Sequence, residues 1–335
     1  MKKVVLFACS LATLVLAGCE SESIDSANGE NTNLTSERKV ADGNSVYLSS
    51  NTSGVLGVYN LENNSWKSLG VPYADADGVA YDSNRDAIYQ VNRTDDRLVT
   101  LSNISETMDG DAVTPTAMGP SNFTNGREAT LYNNKVVVAD DVSPGKLYSY
   151  HVNEDVISDF RWYQTDIELW GIQVVGKDLW AIEDASSNLV YYKDFFKAKS
   201  GDLDLTSKVA IEGLVRTHGL NYDASSDTMV LTDIGSAGSP DDGALVVISN
   251  FSAVYAAAAS GNGIISADSQ VRIEGDMTEL GNPVDVAISS AKGKLFVAER
   301  AQQKFLIFDI PTSNCNCAPS LSMEFAGASA VATDF

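Results

Sequence analysis

Apolar and polar residues alternate over 284–289, where Val284, Val286 and Ile288 interleave with Asp285, Ala287 and Ser289. A period of two predicts a half-buried strand. Ala291-Lys292-Gly293-Lys294 supplies a tight turn. A second strand is then predicted over 295–298, a loop over 299–303 and a third strand over 305–310. The same order recurs along the chain. Residues 77–104 repeat it almost element for element, with strands predicted over 78–81, 87–91 and 97–101. Further copies lie over 127–152, 170–192 and 218–250. Behind these units a fourth strand is predicted, over 114–118, 157–163, 209–214, 271–274 and 321–325.

The two ends of the array complement each other. The first unit has strands predicted over 46–48, 57–60 and 66–71 but lacks an opening strand. Residues 327–335, GASAVATDF, read as an opening strand with nothing behind it, since Val331-Ala332-Thr333-Asp334 aligns with Val79-Ala80-Tyr81-Asp82. Pairing 330–333 with 46–48 completes the first unit. It also closes a ring, leaving no open sheet edge to aggregate. Units start 43 residues apart at the closest (Arg127 to Trp170) and 66 at the widest (His218 to Val284). The widest spacing holds a Gly/Ser/Pro/Asp loop over 235–243 and an alanine run over 253–260 that predicts a short helix. Four-stranded units of this length predict an all-β fold, a six-bladed β-propeller over 45–335.

Composition narrows the function. A chain of 335 residues with 44% hydrophobic content can bury one large all-β core. Its net charge of -22 repels a polyphosphate backbone and argues against nucleic-acid binding. Residues 20–44 are rich in Ser, Asn, Glu and Thr and nearly free of large apolar residues, the composition of a flexible tether. At the N-terminus Lys2 and Lys3 precede an apolar run over 4–16 that is too short for an ordinary membrane span. The run ends in Leu16-Ala17-Gly18-Cys19, which closely resembles the lipobox of bacterial lipoproteins. That resemblance implies a signal peptide over 1–18 and a lipidated tether over 19–44 that begins at Cys19. It also implies an extracytoplasmic domain anchored by lipid in the bacterial cell envelope, periplasmic or at the surface. Two or three acyl chains hold a protein firmly to a bilayer. Cys315 and Cys317 are the two cysteines left in the domain. In an oxidising compartment a local disulfide is expected, with free thiols as the alternative.

Val286-Ala287-Ile288-Ser289, Lys294-Leu295-Phe296-Val297-Ala298 and Phe305-Leu306-Ile307-Phe308-Asp309 together resemble a repeat of the NHL, YVTN and SMP-30-like propeller superfamily. Residues 101–111 resemble a connection between third and fourth strands in bacterial NHL-type lipoproteins, and 192–196 and 248–252 echo it. The resemblance covers 45–335 and implies fold more than function, because this superfamily holds lactonases, other hydrolases, carbohydrate binders and scaffolds. SMP-30-like lactonases use a Glu/Asn/Asp set around a divalent cation. Glu128, Asn92 and Asp233 or Asp285 have the matching types.

Aligning the six units places Ser329, Asp77, Arg127, Trp170, His218 and Val284 at the entries of the innermost strands. The next positions are Ala330, Gly78, Glu128, Gly171, Gly219 and Asp285. The second strands end at Ser50, Asn92, Asp140, Glu183, Asp233 and Glu299, with Arg93 and Arg300 alongside. These rings predict a polar channel mouth. It could offer oxygen ligands to a hard cation such as Ca²⁺, or hold a polar ligand between carboxylates, His218 and Arg127. Asp, Asn and Glu at strand ends also serve simply to accept loop amides. No catalytic residue and no metal ligand is assigned. The expected function is binding of a small molecule or protein partner at the mouth by a monomeric, lipid-anchored domain, without chemistry. The alternative is a metal-dependent hydrolase or lactonase.

Overall fold

The computed structural model describes residues 43–153, 155–236 and 238–335. Cys19, the expected signal peptide and all of the tether except its last two residues lie outside the described residues. Six sheets form the six blades of a β-propeller, each with four antiparallel strands, and two of them carry a fifth outer strand in parallel. Blade 2, for example, orders Ala76–Asp82, Ala87–Asn92, Arg97–Ser102 and Ala117–Met118 from the axis outward. Blade 1 draws its innermost strand from the other end of the chain. Ala328–Thr333 pairs antiparallel with Ser45–Ser50, with Val46 opposite Thr333 and Leu48 opposite Val331. The expected pairing of 330–333 with 46–48 closes the ring.

Six apolar clusters fill the interfaces between neighbouring blades. Val136 and Val138 face Tyr89 and Val91 of blade 2, while Val137 and Ala139 face Leu169 and Ile172 of blade 4. Each blade is thus apolar on both faces. This corrects the half-buried strand expected over 284–289: all seven residues of Pro283–Ser289 are buried. Ala287 packs against blade 1, while Asp285 and Ser289 are buried along the cavity at the other end of the channel.

In blades 2, 4, 5 and 6 the connection between third and fourth strands stitches the blade to the one before it. Ala112 bridges to Gly70 of blade 1, Gly201–Asp202 pairs with the outer strand of blade 3, Ile264–Ile265 with that of blade 4, and Cys315 with Ile273 of blade 5. The recurring sequence of these connections has a local cause. Asn103, Asp194 and Asn250 adopt left-handed backbone, a conformation that Asn and Asp tolerate best after Gly. Each reversal drives the next residue, Ile104, Phe195 or Phe251, into the core. The expected helix forms at Phe251–Ser260. Among the described residues no helix is long and apolar enough to cross a membrane. Cys315 and Cys317 are joined by a disulfide, with Cα atoms 5.3 Å apart.

Candidate functional site

The entries of the innermost strands set the mouth of the channel. Asp77, Arg127, Trp170, His218, Val284 and Ser329, the six positions found by aligning the units, all line one cavity of about 410 Å³. Local backbone explains how two successive residues can both reach the axis. In blades 2, 3, 4 and 6 the register with the second strand shifts at this point, as between Ala76 and Val79 and between Gly126 and Ala129. Such a bulge re-aims side chains that regular alternation would send to opposite faces.

One residue deeper the channel narrows. A Cβ on Gly78 would stand 2.4 Å from the backbone nitrogen of Ala129, and one on Gly219 would stand 2.6 Å from the Asp285 Cα, so the blades meet here through bare backbone. Glu128 of blade 3 and Asp285 of blade 6 project into this level from opposite sides of the ring. Both line a second cavity of about 530 Å³ that opens at the other end of the channel. Asp285 accepts the backbone N–H groups of Val286 at 2.8 Å and Val331 at 2.7 Å. Burial pushes its carboxyl up to about 7. Burial and the Asp285 charge raise Glu128 well above the carboxylate range, while the exposure it retains is to the channel alone. Burial also brings Asp77 up to about 6, although Arg127 and Arg93 pull the other way.

The ends of the second strands turn away from the mouth. Asp140 accepts the N–H groups of Thr124 and Asn125 at 3.1 and 2.7 Å. Asp233 accepts those of Val215, Arg216 and Gly235. Glu299 takes Gly281, Asn282, Ala301 and Gln302. Asn92 takes Thr94 and Asp95, and the Ser50 hydroxyl takes Thr52 and Ser53. Glu183 bonds Asn188 and Ser186 and pairs with Lys208 at 3.2 Å. These groups pin loops, the simpler of the two roles open to them.

The mouth takes the next residue instead. Asn51, Arg93, Ile234 and Arg300 line it, and Asp141 and Asp184 hold the same place in blades 3 and 4. Each of the six donates its backbone N–H to a carbonyl two residues before the mouth-lining entry residue. The pairs are Asn51 to Gly327, Arg93 to Asp75, Asp141 to Asn125, Asp184 to Glu168, Ile234 to Arg216 and Arg300 to Asn282, all between 2.8 and 3.1 Å. Asp75, Arg216 and Asn282 thereby join the lining. The sequence pattern placed Arg93 and Arg300 beside the strand ends but missed Asn51, Asp141, Asp184 and Ile234, because it stopped at the last regular strand residue. The signal was present in the doublets Asp140-Asp141 and Glu183-Asp184, where one acid holds the loop and its neighbour faces out.

Four arginines, Arg93, Arg127, Arg216 and Arg300, converge in this mouth of an acidic protein. Asp77 pairs with Arg93 at 3.2 Å and Arg127 at 3.4 Å, and Asp184 pairs with Arg216 at 2.9 Å. Arg300 has no ion pair among the described residues and its side chain is exposed. Trp170 is clamped between the Arg127 guanidinium, 3.9 Å from its ring centre, and the His218 imidazole, parallel at 3.7 Å. Burial pushes His218 below its usual range, more than the nearby Asp184 carboxylate raises it, so the ring is neutral at pH 7. The lining also gathers buried polar atoms with no hydrogen-bond partner: Asn51 Oδ1, Asp75 Oδ1, which lies 3.9 Å from Arg93 Nε, Asn282 Oδ1 and both ring nitrogens of His218. Such atoms are uncommon in folded proteins, and here they share one cavity.

No family model matches the chain, and no curated protein does. Solved structures do. A chain of the nidogen/laminin complex is 13% identical with a TM-score of 0.61, over 86% of this chain and 97% of that one. A "putative 6-phosphogluconolactonase" from Bacteroides fragilis is 11% identical with a TM-score of 0.57, over 88% and 99%. One from Bacteroides uniformis is 9% identical with a TM-score of 0.59, over 86% and 98%. The likeness is one of fold: this chain is a β-propeller.

Proposed function

We propose that this protein is a lipid-anchored binding protein of the bacterial cell envelope that holds a small polyhydroxylated acid in its channel mouth without chemistry. One observation carries the reading. Asn51 and Asn282 present buried acceptors without hydrogen-bond partners around a cavity that also holds the unpaired guanidinium of Arg300. Hydroxyl groups of a ligand satisfy the acceptors, and a carboxylate satisfies the arginine. The two neighbours described as 6-phosphogluconolactonases make a sugar acid a reasonable first choice. They also suggest the competing reading, a metal-dependent lactonase. Against that reading, Asn92 and Asp233, two of the types such enzymes spend on a cation, are occupied with loop amides.

Aldonic and uronic acids are the first panel. Ligand at about 100 times its Kd should stabilise the full-length, detergent-solubilised protein by about 2.7 kcal/mol. Arg300→Ala should weaken binding roughly tenfold or more, the worth of a charge-assisted hydrogen bond. No stabilisation by any acid of the panel would sink the assignment. Hydrolysis of a sugar lactone that is lost on metal chelation would replace it with the lactonase. The anchor has its own readout. Cys19→Ala should move the protein from the membrane to the soluble fraction of cells; retention on the membrane would refute lipidation at that residue.

A further inference from the structure

At the end of the ring opposite the mouth, blade 4 departs from the acidity of the chain. Its first hairpin, residues 176–178, and its connection over 193–199 carry four lysines and two carboxylates, where the whole chain has 23 basic residues against 45 acidic ones. Lys177, Lys193, Lys197 and Lys199 are all exposed. The fold gathers them. Lys197 pairs with Asp194 at 3.0 Å, and that bond, with the charges of Lys177 and Lys193 behind it, holds the Asp194 carboxyl below its usual range. Asp178 is spent on the Tyr191 hydroxyl at 2.6 Å and the Asp194 N–H at 2.7 Å.

Aromatic and apolar side chains border these cations. Arg161 of blade 3 donates to the Phe196 and Ala198 carbonyls and lies over the Phe160 ring, 4.5 Å from its centre. On the same outer strand Trp162, whose N–H reaches the Ser200 hydroxyl, is 49% exposed, and Val156 at the start of that strand is 55% exposed. Lysines beside an exposed tryptophan suit a membrane surface, where Trp settles at headgroup depth and Lys meets lipid phosphate.

The entry of the chain into the ring says which surface is within reach. Asn44, the last residue of the expected tether, lies at this same end. Lys292, which lines the second cavity, donates to its side chain, and its carbonyl accepts the Leu61 N–H at 2.8 Å. About 25 residues separate it from Cys19, and a flexible chain of that length spans roughly 25–30 Å. A bilayer that holds Cys19 meets the lysine end of the ring and leaves the mouth pointing away.

We propose that this corner of blades 3 and 4 docks on anionic phospholipid headgroups of the membrane that carries the anchor. The inference rests on the anchoring proposed at Cys19 and is independent of what the mouth binds. Attraction of lysines to such a surface fades within a Debye length, about 8 Å at physiological salt, so the patch nearest the membrane decides and not the net charge of the chain.

The test uses the full-length lipidated protein, reconstituted into vesicles of phosphatidylcholine alone or of phosphatidylcholine and phosphatidylglycerol in equal parts. Lysines are acetylated and read by mass spectrometry. In the anionic vesicles Lys193, Lys197 and Lys199 should react about fivefold more slowly than in the neutral ones. Lys146, at the mouth end opposite Asp140, should react alike in both. Salt at about 0.5 M should abolish the difference by screening. In Lys193→Glu/Lys197→Glu/Lys199→Glu the protection of Lys177 should vanish as well. Equal labelling in both kinds of vesicle overturns the docking face and turns the lysines toward an acidic protein partner. Flotation reads the anchor separately. Protein that floats with both vesicles yet labels equally is anchored without docking; protein that floats only with the anionic ones docks without an anchor; protein that floats with neither refutes both.

Discussion

A chain ending at Gly327 should fail to fold. The lost segment carries the innermost strand of blade 1, in which Ala328, Ser329, Ala330 and Val331 are buried. Its removal strips the hydrogen-bonding partner from Ser45–Ser50 and opens two blade interfaces, because Val331 packs in the cluster shared with blade 6 and Ala330 in that shared with blade 2. Domains of this kind are stable by about 5–15 kcal/mol, and an open ring loses a comparable amount. The measurement is soluble yield, and the presence of a single cooperative thermal transition. A permuted chain is the control. Asp334 donates its N–H to the Ser45 carbonyl at 3.2 Å, so the strand and its partner already meet as the two arms of a hairpin. Placing 328–335 ahead of residue 44 through a short linker should restore the transition. A truncated chain that melts like the full one would show that ring closure is dispensable.

The second large effect is a loss of stability as pH rises. Asp285, Glu128 and Asp77 are raised above their unfolded values in the channel. A carboxyl raised in the folded state contributes stability below its unfolded pKa, near 4, and loses it as pH climbs through the folded value. For the two aspartates that window runs from about 4 to 7, with Asp77 titrating near 6 and Asp285 near 7, and Glu128, raised by burial and the Asp285 charge, adds to the loss in the same direction. The protein should therefore melt at a higher temperature at pH 5 than at pH 8. Below pH 4 a reverse loss sets in. Burial works against ionisation of Asp223, but bonds from Ser225 and Ser290 outweigh it and bring the carboxyl down to about 2. Glu128→Gln is the informative variant. Its amide oxygen keeps the bond to the Ala129 N–H, now 2.8 Å, while its charge no longer opposes Asp285. At pH 8 it should raise the melting temperature, and at pH 5 it should change it little. An equal change in melting temperature at both pH values would rule out the channel pair as the cause.

Much of this was readable in the chain. The period-two runs and their turns placed the blades. The missing opening strand at one end and the spare one at the other placed the closure of 330–333 onto 46–48, and the structure adds the register, Val46 opposite Thr333. Aligning the units also found the six entry residues of the mouth. What could not be read was which side chains each strand turns outward. Asp140, Asp233 and Glu299 look like free carboxylates on paper, yet each is spent on backbone amides. Glu168 and Asp184 sit 16 residues apart with only sequence between them, and nothing short of the fold brings them to Asp141.

The sequence by itself determined the number of blades, the ring closure and the identity of the innermost ring, because alternation and turn chemistry are local and repeat six times. Only the tertiary structure decided the electrostatics. Glycine contacts between blades squeeze Glu128 and Asp285 together. Bulges at the strand entries aim Arg127 at Trp170. Blades 3 and 4 bring Asp141, Glu168 and Asp184 together, with His218 against Asp184. Charges separated along the chain act on one another only once distance and burial are fixed, and those belong to the ring as a whole.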